Sequence, residues 1–257
     1  MDLRHQWLRP AATLVGPILI LGFWSTGSYV GWWPNAVIAP PAAVIRALWR
    51  LATSGQLALH TAASSGRLIG GSLLGVFTGI STASIVALVP AVGRIVRPTF
   101  DFLAPIPVLA WIPLFIVMLG IDGARIALIA TGTGFILYSS TSTVIADTKV
   151  EYIDLARLYK KNRLQLLMRI SLPSGAWVLF GSLRTALGLS WVLLLASELI
   201  ASSSGLGWLI WDSRNFSRAD EMMAGMIWVG LLGFILDRLV AAIQNRTTSW
   251  RPTFQGI

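Results

Sequence analysis

The stretch DLARLYKKNRLQLLMRISLP, residues 154–173, decides how the whole chain is organised. Apolar residues at helical spacing i, i+3, i+4 and i+7 lead into it and run through it: Tyr152, Leu155, Ala156 and Tyr159. The run Lys160-Lys161-Asn162 then interrupts the pattern, a second apolar face follows, and Pro173 opens a long stretch that is apolar except for Arg184 and Glu198. The sequence therefore predicts a helix–turn–helix over residues 147–173, placed between two much more apolar segments.

The composition on either side of this loop is that of a membrane protein. Of 257 residues, 55% are hydrophobic and only 12% are charged. Soluble globular domains carry about 25% charged residues, so half that share cannot cover a soluble surface of this size. A soluble or disordered chain is excluded on these grounds, and an all-α transmembrane protein is predicted.

Charged residues separate the apolar runs, and six of these runs approach or exceed the roughly 20 residues that a spanning helix requires. We predict a six-span domain over residues 11–244, with tails at 1–10 and 245–257. The predicted spans are residues 11–30, 64–89, 98–120, 124–146, 174–199 and 222–244. The first span follows two arginines as a signal peptide would, but no early cleavage site closes it, so we interpret it as uncleaved.

The distribution of lysine and arginine predicts the orientation, since cytoplasmic loops carry an excess of both. With the N-terminus inside, thirteen of the 20 basic residues face the cytoplasm, six face outside and Arg184 lies within a span. The outside set is Arg46, Arg50, Arg67, Arg125, Arg214 and Arg218. Both termini and the 147–173 loop are therefore predicted to be cytoplasmic.

Several function classes are excluded by what the sequence lacks. There is no cysteine, and His5 and His60 are the only histidines, so thiolate chemistry is impossible and no metal site is predicted. Neither His-Glu-x-x-His nor Gly-x-Ser-x-Gly occurs, which argues against an intramembrane enzyme. The net charge of +9 comes from short connections without interleaved aromatics, so nucleic acid is not an expected partner.

Two segments in the first half of the chain predict close packing. Residues 44–51 alternate as a short amphipathic helix, which can lie on the outer membrane interface or simply on the protein surface. The predicted second span contains glycines in two registers spaced by four: Gly66, Gly70, Gly71, Gly75 and Gly79. Missing side chains allow a close helix contact, with another span of this chain favoured over a partner chain.

Four residues within the predicted spans are candidates for a translocation path. Pro107 and Trp111 lie in the proline-rich third span, where bends suit either a path-lining helix or a merely bent one. Arg184 lies deep in the fifth span, where a charge is costly, and a structural partner on a neighbouring helix is favoured over substrate contact. Trp191 follows it by seven residues, while Glu198 is expected to be hydrated near the outer end of the same span.

The 147–173 loop resembles the EAA loop of ABC importer permeases. Asp154 stands where that family usually has Glu, Ala156 matches its second Ala, and Leu172-Pro173 matches the ending at the right distance. Lys160 occupies the position of the family's glycine. Because glycine adopts a left-handed backbone most easily and Asn tolerates it better than Lys, we expect the turn to be displaced toward Asn162.

The flanking segments are similar to the nitrate, sulfonate and taurine branch of the same family. The resemblance includes Pro40-Pro41 after the first span, Pro105-Ile106-Pro107 in the third and Ser190-Trp191 in the fifth. It continues through Ala196-Ser197-Glu198-Leu199 and Ser204-Gly205-Leu206-Gly207. Any one of these motifs is weak, but their order and spacing agree over residues 14–251.

The resemblance implies the machinery around the chain. Two permease copies would form the pore, and the glycine rows, the proline-rich third span and the lack of an ATP site lead us to expect a homodimer. A cytosolic ABC ATPase dimer would drive it, and a periplasmic solute-binding protein would deliver a small anion. Since the sequence contains no Gly-x-x-x-x-Gly-Lys-[Ser/Thr] loop, ATP would be used by the partner and this chain would bind no cofactor. The resemblance assigns coupling to Asp154, Ala156, Arg157, Lys160, Leu172 and Pro173.

One competing function remains from the residues alone. A proton-coupled secondary transporter or channel would also be a multi-span protein in the inner membrane, surrounded by lipid. Proton relays usually use several buried acidic or histidine groups, whereas Glu198 is the one candidate here. Similarly, the amphipathic loop helix fits either a groove on a cytosolic partner or an anionic lipid surface.

Overall fold

The structure is a computed structural model that describes residues 4–200 and 202–247, with side chains described from Val15 onward. The described residues form helices and short connections. The long helices are α1 (Arg4–Val30), α3 (Gln56–Leu88), α5 (Ile112–Ala146), α9 (Ala176–Ile200) and α11 (Ala219–Thr247). The shorter ones are α2 (Pro41–Thr53), α4 (Pro90–Leu103), α6 (Val150–Leu158), α7 (Arg163–Leu166), α8 (Leu172–Ser174) and α10 (Leu206–Asn215).

Four segments of the described chain are long and apolar enough to cross a membrane: Gln56–Leu88, Val108–Ala146, Ala176–Ile200 and Ala219–Thr247. The stretch Val15–Val30 of α1 is apolar but shorter. Helix α1 begins at Arg4, inside the predicted N-terminal tail, and α3 begins eight residues before the predicted second span. Most of the predicted C-terminal tail lies outside the described residues.

One register of glycines brings α3 against α5. A Cβ added at Gly75 would lie 2.5 Å from Thr133 Cβ and 2.6 Å from the Ala130 carbonyl oxygen. Gly71 and Gly79 meet α5 in the same way, whereas Gly66 and Gly70 have no such neighbour within 4 Å. The register of Gly71, Gly75 and Gly79 therefore packs within the chain, and the register of Gly66 and Gly70 faces outward.

The core of the bundle continues from α5 to α9 and α11. Thr133 and Ser190 share a buried hydrogen bond of 2.7 Å, and Leu193 Cδ1 fills the space that a side chain at Gly132 would need. Leu68, Ile129 and Leu194 form a buried cluster that joins α3, α5 and α9. Small polar groups and glycines thus place three spans in contact, as expected where lipid removes the usual hydrophobic drive for association.

Helix α2 packs on protein through its apolar face. Val44, Ala47 and Leu51 are buried in a cluster that includes Leu209 of α10 and Ala224 of α11. Arg50 on the same helix donates to Asp220 at 3.0 Å and Glu221 at 2.9 Å, and these hydrogen bonds raise the pKa of its guanidinium. Of the two interpretations of this amphipathic helix, the structure therefore supports the protein-surface helix.

The predicted third span, residues 98–120, is not one bent helix, and this prediction was wrong. Helix α4 already begins at Pro90 and ends at Leu103, and a 3₁₀ turn over Val108–Trp111 leads into α5. Pro105 and Pro107 provide no backbone donor and disfavour a helical conformation of the residue before each of them. The helix therefore ends at this pair of prolines, whereas a single proline would only bend it. A second break follows at Gly120, which has φ 71° and ψ 175° within α5.

Candidate functional site

The turn of the 147–173 loop forms at Lys160 and is not displaced. Lys160 adopts φ 51°, its N–H donates to the Arg157 carbonyl at 2.9 Å, and the Lys161 N–H donates to the Ala156 carbonyl at 2.9 Å. This pair of hydrogen bonds is a Schellman motif closing α6. The expected displacement to Asn162 was wrong, because the two capping bonds hold Lys160 in a left-handed conformation at a cost of about 1 kcal/mol.

Asn162 is the N-cap residue of the next helix, α7. Its side chain accepts a hydrogen bond from the Gln165 N–H at 2.8 Å, and the Gln165 side chain accepts from the Asn162 N–H at 3.2 Å. This reciprocal pair is a capping box. One π-helical turn over Leu167–Ser171 then joins α7 to α8, which contains Leu172 and Pro173. The Schellman motif and the capping box together define the turn between α6 and α7.

Helix α6 presents an apolar surface that the described chain does not cover. Leu155, Leu158 and Tyr159 are 50%, 78% and 67% exposed. Asp154 and Arg157 flank them, exposed and paired at 3.1 Å. Ala156 differs from the expectation of a docking contact, since it is 4% exposed and therefore buried within its own chain.

The four candidate path residues lie in two separate places. Pro107 begins the 3₁₀ turn, and Trp111 stacks on Phe115 with ring centroids 6.2 Å apart. Arg184 of α9 forms a two-pronged ion pair with Asp237 of α11, at 2.5 and 2.7 Å. Trp191 lies about two helical turns after Arg184 on α9, against Gly233 of α11. Arg184 therefore has the structural partner that was favoured from its position.

Glu198 is buried, which corrects the expectation that it is hydrated. Its side chain is fully buried and accepts hydrogen bonds from Ser64 at 2.8 Å, Arg67 at 2.8 Å and the Gly207 N–H at 2.9 Å. A carboxylate at the first turn of α10 satisfies backbone donors that the helix leaves open. We call Glu198, Ser64, Arg67 and the N-terminus of α10 the α10 clamp.

The hydrogen bonds of the α10 clamp continue to Asp122 and Arg125, which follow the break at Gly120 in α5. Arg67 also donates to the Ser204 carbonyl at 2.9 Å and to Asp122 at 3.2 Å, and Asp122 accepts from Arg125 at 2.6 Å. His60 Nδ1 accepts from the Gly205 N–H at 3.1 Å. Sequence reasoning missed this network because its members lie up to 145 residues apart; the adjacency of Ser204-Gly205-Leu206-Gly207 to a helix start was the available signal.

Comparisons with a protein family and with individual proteins agree with one another over most of the chain. A protein-family profile, described as "Binding-protein-dependent transport system inner membrane component", matches residues 71–249 of this chain. The putative aliphatic sulfonates transport permease protein SsuC of Escherichia coli (strain K12) is 32% identical over 250 residues, 97% of this chain and 95% of the relative. The nitrate import permease protein NrtB of Leptolyngbya laminosa is 27% identical over 251 residues, 93% of this chain and 88% of the relative.

A solved structure supports the fold. The chain is similar to one in a structure of the MetNI methionine ABC transporter in an inward-facing conformation, with a TM-score of 0.63 and 14% identity. The similarity covers 81% of this chain and 97% of the other. The family match spans well over half of this chain. The two relatives are permease proteins, and this chain matches them along most of their length. This chain therefore belongs to the binding-protein-dependent transport system inner membrane component family and is a multi-pass inner-membrane permease of the ABC importer class.

Proposed function

We propose that this chain forms a homodimeric pore, driven by a separate cytosolic ABC ATPase dimer, which imports a small sulfonate- or nitrate-like anion from a periplasmic binding protein. The relatives named for aliphatic sulfonates, nitrate and taurine support the substrate class. The observation that carries the mechanism is the apolar surface of Leu155, Leu158 and Tyr159 on α6, exposed next to a rigid turn. ATP is used by the partner, and this chain holds no cofactor of its own.

Each coupling residue has a mechanical role in this proposal. The ATPase cleft receives the exposed end of α6, and Asp154 and Arg157 set its orientation at the rim. Ala156 ties α6 to the permease body, and Lys160 fixes the turn. Movement of the ATPase then reaches α9 through Leu172 and Pro173, because the connection contains no long flexible segment.

Replacement of Leu158 by Asp tests the ATPase contact. A charge placed at this 78% exposed position costs little in the permease alone but several kcal/mol when buried without a partner in a cleft. We expect the ATPase to be lost on co-purification, or its stimulation by loaded binding protein to fall at least about tenfold. Permease yield should not change, because the side chain has few contacts in its own chain.

Val37→Asp is the matched control, since Val37 is 59% exposed in the connection before α2 and far from the loop in sequence. It should leave both co-purification and ATPase stimulation intact. If α6 instead lies on lipid, Leu158→Asp weakens membrane contact and the ATPase stays bound at the yield of Val37→Asp. That result would exclude the coupling role of α6.

The proposed arrangement has six spans with both termini in the cytoplasm. The apolar segment Val108–Ala146 has 39 residues, about 58 Å as a straight helix, which exceeds a bilayer core of about 30 Å. Gly120 interrupts it, so the third span is assigned to residues 90–119 and the fourth to 121–146. Under this assignment Arg94 and Arg97, two of the thirteen basic residues counted inside, lie in the inner half of the third span, and the other eleven still exceed the six outside, which supports the orientation.

Thiol labelling in intact cells tests this topology against a background free of native cysteine. Ser203→Cys, in the connection before α10, should react with a membrane-impermeant maleimide. Asn162→Cys, in the turn after α6, should react only after the cells are opened. The reverse pattern would show that the orientation is wrong.

A further inference from the structure

Helix α5 contains six consecutive hydroxyl-bearing residues, Tyr138-Ser139-Ser140-Thr141-Ser142-Thr143. Two of them lie in the packed interior: Ser140 donates to Ser182 of α9 at 2.6 Å, and Thr141 is fully buried, although its hydroxyl has no hydrogen-bond partner within the described residues. The others line a cleft of about 420 Å³ together with Ala83 and Val86 of α3 and Arg97 and Asp101 of α4. The Ser142 hydroxyl is buried and has no hydrogen-bond partner within the described residues. Packing therefore does not account for the whole run.

A second cleft, of about 390 Å³, continues the first along α5. The two share Asp101, Tyr138 and Ser139, and the second reaches Gly132 and Leu189. Its wall includes Ala104 and Val108, where α4 has ended and the 3₁₀ turn begins. We call the two connected clefts the hydroxyl groove.

The non-helical backbone beside the groove favours a position bordered by protein or water over contact with lipid. Residues 104–107 lie between two helices, within the segment assigned to the third span. Backbone of this kind occurs at membrane depth only where protein covers it or where it borders an aqueous cavity, because an unpaired peptide group in hydrocarbon costs several kcal/mol. Exposed Ser139 and Thr143 on the facing helix are consistent with the same aqueous surface.

Two opposite charges complete the wall. Arg97 and Asp101 are about 11 and 16 Å along α4 from its first residue, so both lie well inside the segment. Both line the groove, and neither takes part in an ion pair within the described chain. Charged groups within spans usually mark a solute or ion pathway.

We propose that the hydroxyl groove is the cytoplasmic half of the translocation path and takes a small solute with an oxoanion group, such as a sulfonate. The proposal rests on the importer function proposed above. The Ser139 and Ser142 hydroxyls and the Arg97 guanidinium donate hydrogen bonds to the oxoanion as it passes, whereas the Thr143 hydroxyl already donates to the Ser139 carbonyl at 3.1 Å. Asp101 offsets the charge of Arg97, so the groove binds weakly enough to release the solute, which conduction requires.

The proposal places the path away from the α9–α11 contact. Arg184 already uses two of its donors on Asp237, and Trp191 lies against Gly233 on that same side. Pro107 directly precedes Val108, which lines the groove, so the proline-rich break belongs to the path in this assignment. Of the four candidates from the sequence, Pro107 and Trp111 therefore belong to the break beside the groove, and Arg184 and Trp191 belong to the α9–α11 contact.

Single cysteines test the groove in the assembled transporter. Ser139→Cys and Ser142→Cys are treated with 2-sulfonatoethyl methanethiosulfonate in inside-out vesicles; the thiolate attacks the reagent sulfur, methanesulfinate leaves, and a sulfonate-bearing disulfide forms. Thr99→Cys is the control, because Thr99 is exposed on α4 between Arg97 and Asp101 and does not line the groove. The parent chain has no cysteine, so parent complexes report any reaction on other subunits.

We expect both groove cysteines to react at least about tenfold faster than Thr99→Cys, since only hydrated thiols ionise readily. Their modification should block ATP-driven release of labelled ethanesulfonate from the vesicle lumen, which is the periplasmic side and contains the loaded binding protein, and excess ethanesulfonate should slow their modification. Slow reaction at both positions, equal rates at all three, or full modification with unchanged release would overturn the groove assignment. If the untreated parent complex releases ethanesulfonate without ATP, the importer function fails instead, while the reaction rates still decide whether the groove is aqueous.

Discussion

Gly75→Ala should separate α3 from α5, although it adds only one methyl group. The new Cβ would lie 2.6 Å from the Ala130 carbonyl oxygen and 2.5 Å from Thr133 Cβ, and backbone cannot move aside as a flexible side chain would. Overpacking of this kind costs about 1–3 kcal/mol, and more where backbone must shift. We expect lower expression and a clearly lower midpoint of thermal unfolding for the detergent-purified permease.

Gly70→Ala is the control on the same helix, five residues away. An added Cβ there has nothing within 4 Å in the chain, so the thermal midpoint should remain at the parent value. If Gly70→Ala unfolds as early as Gly75→Ala, the packing register on α3 is wrong. Should Gly70→Ala keep its midpoint but lose the dimer, the outward register belongs to the contact between permease copies.

Glu198→Ala should be the most damaging change of a single charged residue. The variant leaves the Ser64 hydroxyl and the Gly207 N–H without their acceptor and removes a partner from Arg67, which is only 13% exposed. Breaking a buried ion pair from one side costs about 3–5 kcal/mol. Thermal unfolding should therefore begin several degrees earlier, and α10 should become accessible to protease.

Asp154→Ala provides the comparison for a carboxylate in an exposed ion pair. Asp154 and Arg157 are 62% and 76% exposed, and surface pairs contribute about 0–1 kcal/mol. The Asp154→Ala midpoint should match that of the parent chain. Equal midpoints for Glu198→Ala and Asp154→Ala would show that the α10 clamp does not hold the fold together.

The sequence predicted the class of fold because its signals were local. Apolar runs, basic loops and the Leu172-Pro173 ending are each readable within about 20 residues. The glycine spacing also indicated close helix contact, but not which register would face α5. That choice depends on Ile129 and Thr133, which lie on a helix more than 50 residues further along.

The predictions that failed depended on hydrogen bonds between distant or competing groups. Lys160 adopts a left-handed backbone because two capping bonds favour it, and intrinsic preference alone predicted Asn162. Glu198 looked hydrated because its position near a helix end was the only local information. Two prolines, Pro105 and Pro107, ended a helix that was predicted only to bend there.

The α10 clamp has a consequence for the order in which the chain is made. Arg67 and Glu198 are 131 residues apart, so at about 5–20 residues per second the ribosome needs on the order of ten seconds to supply the carboxylate after the arginine. Asp122 follows Arg67 by 55 residues and is made earlier, but it is an exposed partner, so until Glu198 is made Arg67, near the start of the second span, lacks its buried carboxylate. A chain truncated before Glu198 lacks that carboxylate permanently, which offers membrane proteases a chemical distinction between unfinished and complete copies.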